Sequence, residues 1–383
     1  MGETATLVPR PATVISIVTE ELRPLVRRID TEGLYPAGIL RRLGEAGAFA
    51  HHRRDRGKGS RGIIDAIAAM TEVGADCLST AFCVWCQDAL VWYLDRADNP
   101  APRERYLAAV AAGRRLGGTG LSNPMKFFSG LEPLALKGVR VAGGYRVTGR
   151  LPFVSNLDED HLFASIFALE DAPERKIMAL FRGGQDGVSL ARNAHFIALE
   201  GTGTYSTLIR HAFVANEDTL SDDADRFVPR IRQGFVLLQA GMGLGIARRA
   251  ARLMRSDGAS GRRAAQLPLG PDTIETRAAA LEARITAHAE SAEDPDRRVF
   301  LKVLRTRLDL SWLALEAAQA AMLQFGARAY LVGSEAARRL REAQFVAIIT
   351  PSVKHILAEL AKEEADAVKP TLHSRLNHLS QSI

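Results

Sequence analysis

An island of strand-forming sequence lies between two long helical stretches, and this order constrains the fold more than any other feature. From Gly117 to about Val214 the chain is rich in Gly, Val, Phe and Thr, whereas on either side Ala, Leu, Arg and Glu recur at helical spacing. β-Branched and aromatic residues suit pleated strands, and Ala and Leu favour helices. A chain of 383 residues can bury a large core in two or three domains.

The first block reads as helices over 12–29, 36–47, 63–73, 79–94 and 103–112. Pro36 opens the second and Gly47 follows it, and Asn99-Pro-Ala-Pro102 marks a turn before the last. In the island, 134–141 and the run from Tyr145 flank Gly143-Gly144 and predict a hairpin. Runs at 161–169, 176–181 and 205–215 add strands, so the island predicts an antiparallel β domain or barrel. Helical spacing returns at about Phe227, with helices expected over 231–254, 272–289, 295–329, 335–343 and 351–367. Gly241, Gly243 and Gly245 follow no strand of a βαβ unit, so they predict close helix packing and not a dinucleotide loop.

Composition excludes several functions. No apolar run reaches the ~20 residues of a membrane span, and no secretory leader is read at the N-terminus. Cys77, Cys83 and Cys86 fall within one apolar helical stretch, which predicts buried structural thiols; an odd count without a disulfide framework suits a reducing cytoplasm. A formal charge of +6 comes from arginines scattered along helices, without interleaved aromatic platforms, so no nucleic-acid partner is expected.

Two motifs in the island carry chemistry. Thr119-Gly-Leu-Ser-Asn-Pro124 precedes the hairpin, and Gly144 to Asn156 contains Phe153-Val-Ser155. With Leu43-Gly-Glu-Ala-Gly-Ala-Phe49, the 199–216 stretch and Gly326-Ala-Arg-Ala-Tyr330, they stand in an order that resembles the acyl-CoA dehydrogenase superfamily over most of the chain. The resemblance implies an α+β fold with a helical domain over 1–115, a central antiparallel β domain over 116–222 and a C-terminal four-helix bundle domain over 223–383. It implies FAD, with FMN as the alternative, a small-molecule or acyl-carrier substrate, and a homodimer or homotetramer built on the C-terminal helices.

Residue by residue, it puts Leu121, Ser122 and Thr119 at the polar edge of the flavin, Phe153 and Ser155 beside the ring in place of the family's Trp and Thr, Ser129 at the ligand, and Gly326 near a neighbouring subunit's cofactor. Fixed donors at the pyrimidine edge suit the negative charge that a reduced flavin gathers. The family's "RxxFG" grip on the pyrophosphate is missing, and Arg255, Arg262 and Arg263 stand there instead.

The catalytic base is missing as well. Removing hydrogen across Cα–Cβ of an acyl thioester requires a proton acceptor. Ile349 occupies the common base position and Phe235 the subfamily alternative. Three readings follow: an acyl-CoA dehydrogenase-like oxidoreductase whose base is Glu342 or Glu200; a flavin-dependent monooxygenase or oxidase, with His355 or Arg328 polarising the site; and a non-catalytic homologue.

Overall fold

The structure is a computed structural model that describes residues 13–257 and 266–363. Its centre is the Leu78–Arg96 helix, in which every residue is buried. A helix whose apolar residues spread around its whole circumference has no solvent face, and its few polar residues, such as Gln87 and Asp88, find partners inside the protein. The helices Ser60–Asp76, Pro100–Ala111 and Ala224–Leu237 pack on it. Trp85 Nε1 donates to the Phe235 carbonyl (3.2 Å) and Trp92 Nε1 to that of Ile231 (3.0 Å), which ties it to the Ala224–Leu237 helix. Gly234 makes that approach feasible, because a Cβ there would lie 2.1 Å from Trp92 Cζ2.

The island forms one sheet in the order β6-β7-β3-β2-β4-β5-β8. Its strands are β1 (Gly117–Thr119), β2 (Leu136–Val141), β3 (Gly144–Val154), β4 (Leu162–Leu169), β5 (Lys176–Arg182), β6 (Val188–Ala191), β7 (Tyr205–Ala215) and β8 (Thr219–Ser221). The Gly143-Gly144 hairpin is present, with Val141 opposite Gly144. The sheet is not wholly antiparallel as expected: β4 runs parallel to both β1 and β2. The chain turns back after β3 and lays β4 on the far side of β2, which brings the two into the same direction. Phe163, Phe167, Phe181 and Val147 fill the core of the sheet. Asn156, at φ +60°, pins the end of β3 by donating to the Gly117 carbonyl (2.6 Å) and accepting from Tyr35 Oη (2.6 Å); Asn is among the residues that tolerate this backbone region.

Beyond the sheet lies the C-terminal bundle. The helix expected over 231–254 is two helices, Ala224–Leu237 and Ala240–Ser256, broken at Leu238–Gln239. Pro271–Ala289, Arg297–Phe325 and Glu335–Ile348 complete the bundle, and a further helix occupies 353–363. The glycines pack as expected: a Cβ on Gly241 would strike Met70, and one on Gly245 the backbone of Gly74 and Ala75. Arg262 and Arg263 lie outside the described residues.

Candidate functional site

Three parts of the chain converge on a cavity of about 330 Å³, a size typical of small-molecule sites. One wall is the central helix, which contributes Phe82, Trp85 and Cys86. Opposite it stand Phe345, Ile348, Ile349 and Thr350 from the end of the Glu335–Ile348 helix, with Phe235 beside them. The sheet contributes Thr119 and Phe153, with Ser155 just past the end of β3 and Ser122 at the start of the short Ser122–Phe128 helix. A loop, Phe196 to Leu199, closes the remaining side.

The cavity is two-faced. Its apolar walls are aromatic: the Phe82 and Phe345 ring centroids are 4.6 Å apart, and those of Trp85 and Phe235 are 5.0 Å apart, both pairs edge-to-face. Such pairs hold their geometry through the quadrupoles of the rings. The other face is a rim of hydroxyls. Ser122 Oγ meets Thr350 Oγ1 at 2.8 Å, Ser155 Oγ meets Thr204 Oγ1 at 2.6 Å, and Thr119 Oγ1 meets Tyr93 Oη at 3.1 Å. Each hydroxyl can donate once and accept twice, so these pairs keep capacity for a ligand.

The loop wall is braced from behind. Glu200 Oε2 accepts from the Phe196 N–H (2.9 Å), and its Oε1 meets His195 Nδ1 (3.0 Å). Arg341, paired with Asp30 at 2.6 Å, donates to the Ile197 carbonyl. Leu199 is held at φ +64°, a costly region for such a side chain, and Thr202 Oγ1 donates to its carbonyl (2.7 Å). Among the described residues, Arg341 is the one charged side chain lining the cavity, and no Asp, Glu or His lines it.

Of the residues singled out from sequence, Thr119, Ser122, Phe153 and Ser155 share the cavity with Phe235 and Ile349. Leu121 is fully buried beneath them, and its N–H donates to Thr119 Oγ1 (3.3 Å). Ser129 lies outside the lining, where its Oγ meets His355 Nε2 at 2.6 Å. Gly326 sits in a turn after the Arg297–Phe325 helix, outside the lining.

The proposed bases are engaged elsewhere. Glu342 is buried between Arg338 (3.0 Å) and Arg339 (2.8 Å) and accepts from the Leu78 N–H at the start of the central helix. Glu200 braces the loop from outside the lining. Arg328 pairs with Asp257, and Arg255 with Asp272 and Glu275. The thiols are structural as expected, and burial pushes all three up, although Cys86 also faces the cavity.

A family model described as the acyl-CoA dehydrogenase N-terminal domain matches residues 11–114. Butyryl-CoA dehydrogenase from Megasphaera elsdenii superposes with a TM-score of 0.79 at 16% identity, over 92% of this chain and 96% of that one. The chain has the fold of the acyl-CoA dehydrogenases, and its N-terminal part matches that family's own N-terminal domain. Benzylmalonyl-CoA dehydrogenase of Aromatoleum aromaticum is 23% identical over 236 residues, which cover 60% of this chain and 62% of that protein. (R)-Benzylsuccinyl-CoA dehydrogenase of Thauera aromatica is 25% identical over 141 residues, 36% of this chain and 34% of that one. The chain therefore spans less than two thirds of the curated relatives that it matches. Within this fold, the lining residues that no sequence motif singles out include Phe82, Trp85, Phe345, Ile348 and the 196–198 part of the loop. The first two read as ordinary core, and the loop has no periodicity to betray it.

Proposed function

We propose that this chain is a flavin-dependent oxidoreductase acting on an apolar, ring-bearing group, in a reaction where no protein carboxylate takes the substrate proton. The observation that carries this reading is the two-faced cavity: a hydroxyl rim, aromatic walls, and no Asp, Glu or His among the described lining residues. A flavin ring is planar and apolar on its faces and polar along one edge. Ser122, Thr119 and Ser155 suit that edge, and Phe153 suits a face. The phosphate end is provided for less well, since Arg255 is already bound by two carboxylates. When bound, the flavin would supply two-electron transfer to or from the substrate.

The residues of the chain do the rest. Phe82, Trp85, Phe235 and Phe345 exclude water and orient an aromatic group edge-to-face. The curated relatives are named for benzyl-bearing CoA thioesters, which supports a ring in the acyl group. Phe235 and Ile349 cannot accept a proton, and Glu342 and Glu200 are committed to structure. This favours a monooxygenase or oxidase reaction over α,β-dehydrogenation. A dimer or tetramer accompanies the reading, supported by the exposed Tyr330, Leu331 and Val332 beyond the long bundle helix. No helix among the described residues is long and apolar enough to cross a membrane.

The test is the visible spectrum of the purified protein with FAD and FMN added in turn. We expect one to bind near one per chain, Ser122→Ala with Ser155→Ala to weaken it several-fold, and the anaerobically reduced form to be reoxidised rapidly by oxygen. Binding of neither flavin would refute the reading and leave a non-catalytic homologue.

A further inference from the structure

Arg307 lies in the Arg297–Phe325 helix and is 3% exposed. Two other arginines as deeply buried have two carboxylates each: Arg339 has Glu335 and Glu342, and Arg96 has Asp95 and Glu293. Arg307 makes no ion pair among the described residues, and neutral oxygens alone receive its protons. Its Nε donates to Gln239 Oε1 (2.9 Å), one terminal nitrogen to Ser311 Oγ and the other to the Val346 carbonyl. Burial lowers the guanidinium to about 10, so it stays charged at neutral pH.

A buried cation without a counter-charge is costly, and an apolar side chain of similar size would fill the space more cheaply. What sets Arg307 apart is where its hydrogen bonds lead. Val346 lies in the last turn of the Glu335–Ile348 helix, and Ile349 and Thr350, which follow that helix, line the cavity. Gln239 extends the connection by donating from Nε2 to the Thr350 carbonyl (2.8 Å), and Thr350 Oγ1 meets Ser122 Oγ (2.8 Å). Gln239 reaches this place from the break between the two bundle helices.

We infer that Arg307 is a positioning residue that biases the hydroxyl rim of the cavity toward negative charge, acting through Gln239 and Thr350 on Ser122. The inference rests on the flavin reading above. If the ring binds with its polar edge at Ser122, the charge gained on reduction meets the one buried arginine that has no carboxylate partner among the described residues. Salt screens the field little, because the guanidinium is enclosed. At an effective dielectric of about 20, a unit charge changes the affinity for an anion roughly tenfold over separations on the order of 10 Å. The reduced flavin is then held about tenfold tighter, relative to the oxidised form, than it would be without Arg307.

The experiment compares the full-length wild type with Arg307→Lys, Arg307→Gln and Gln239→Glu. The last variant leaves Arg307 in place but sets a carboxylate against it. Affinities for oxidised and reduced flavin are measured anaerobically by fluorescence titration, with the reduction potential of the bound flavin and the melting temperature. We expect Arg307→Gln and Gln239→Glu to lose about tenfold in the preference for the reduced form and to lower the potential, and Arg307→Lys to retain most of both. A preference unchanged in Gln239→Glu, or equal weakening of both forms with a lower melting temperature, overturns the inference and makes Arg307 a brace. Flavin binding to no protein, wild type included, refutes the flavin reading and this inference with it.

Discussion

Gly234→Ala places one methyl group against the most enclosed contact between the central helix and its neighbour. The new Cβ would lie 2.1 Å from Trp92 Cζ2 and 2.3 Å from Cε2. The indole has no room to retreat. Trp92 is 0% exposed, its Nε1 is held by the Ile231 carbonyl, and the Arg96 guanidinium lies 3.2 Å from the ring centroid. Overpacking of this kind costs about 1–3 kcal/mol, and loss of the indole hydrogen bond adds about 1. Alanine returns about 1 kcal/mol of helix propensity. The net is a loss of about 1–3 kcal/mol, a drop of a few degrees in melting temperature. Gly38→Ala is the control, since nothing lies within 4 Å of its Cβ; it should be neutral or stabilise by up to about 1 kcal/mol. Calorimetry and urea unfolding measure both, and Trp92→Phe, which leaves a smaller ring beside the new methyl, supplies the double-mutant cycle. A Gly234→Ala protein as stable as the wild type, or one whose loss persists undiminished in the Trp92→Phe background, would refute the packing argument.

Three further outcomes are expected. Burial would raise the Glu335 carboxyl, but the Arg249 hydrogen bonds and the charges of Arg339, Arg249 and Arg338 outweigh it and hold it at about 2. Its stabilisation, roughly 3 kcal/mol, is complete above the ordinary value of 4.5 and is lost as pH falls through about 2; urea unfolding between pH 5 and 2 should show this slope, and Glu335→Gln should flatten it. Glu200→Ala should free the Phe196–Leu199 wall, speeding amide exchange there and weakening cavity ligands several-fold while leaving the melting temperature within about a degree or two. Finally, the three thiols should resist an aromatic disulfide reagent in the native protein and all react in denaturant, because the thiolate is the reactive form and burial suppresses it.

Much of this architecture is legible in the sequence where local chemistry agrees with the fold. The Gly143-Gly144 turn and the 205–215 run give β2, β3 and β7 because alternation and turn residues act over short range. The helix break at Leu238–Gln239 is not legible, since apolar spacing runs through it and the partners of Gln239, Arg307 and Thr350, lie far along the chain. The Ser122–Phe128 helix hides behind Pro124, which the first turn of a helix tolerates. For the cavity, Thr119 and Ser122 come from one short motif and Ser155 from a second at the end of the hairpin, so each is legible from its local sequence. Ser129, which the resemblance puts at the ligand, lies outside the cavity lining with its Oγ on His355 Nε2. The aromatic walls come from parts of the chain far apart, and their residues look like any other core.

The central helix serves the cavity and the core at once, and this divides the site by how freely it can change. Phe82, Trp85 and Cys86 reach the ligand space from a helix with no exposed residue, so altering ligand preference from that side disturbs the packing of the whole molecule. Phe196 and Ile197 are exposed at the cavity's other side and are held by a few hydrogen bonds. Substrate range can therefore drift through the loop while the helix stays fixed, and variants selected for new ligands should accumulate changes at 196–199 before any appear at 82–86.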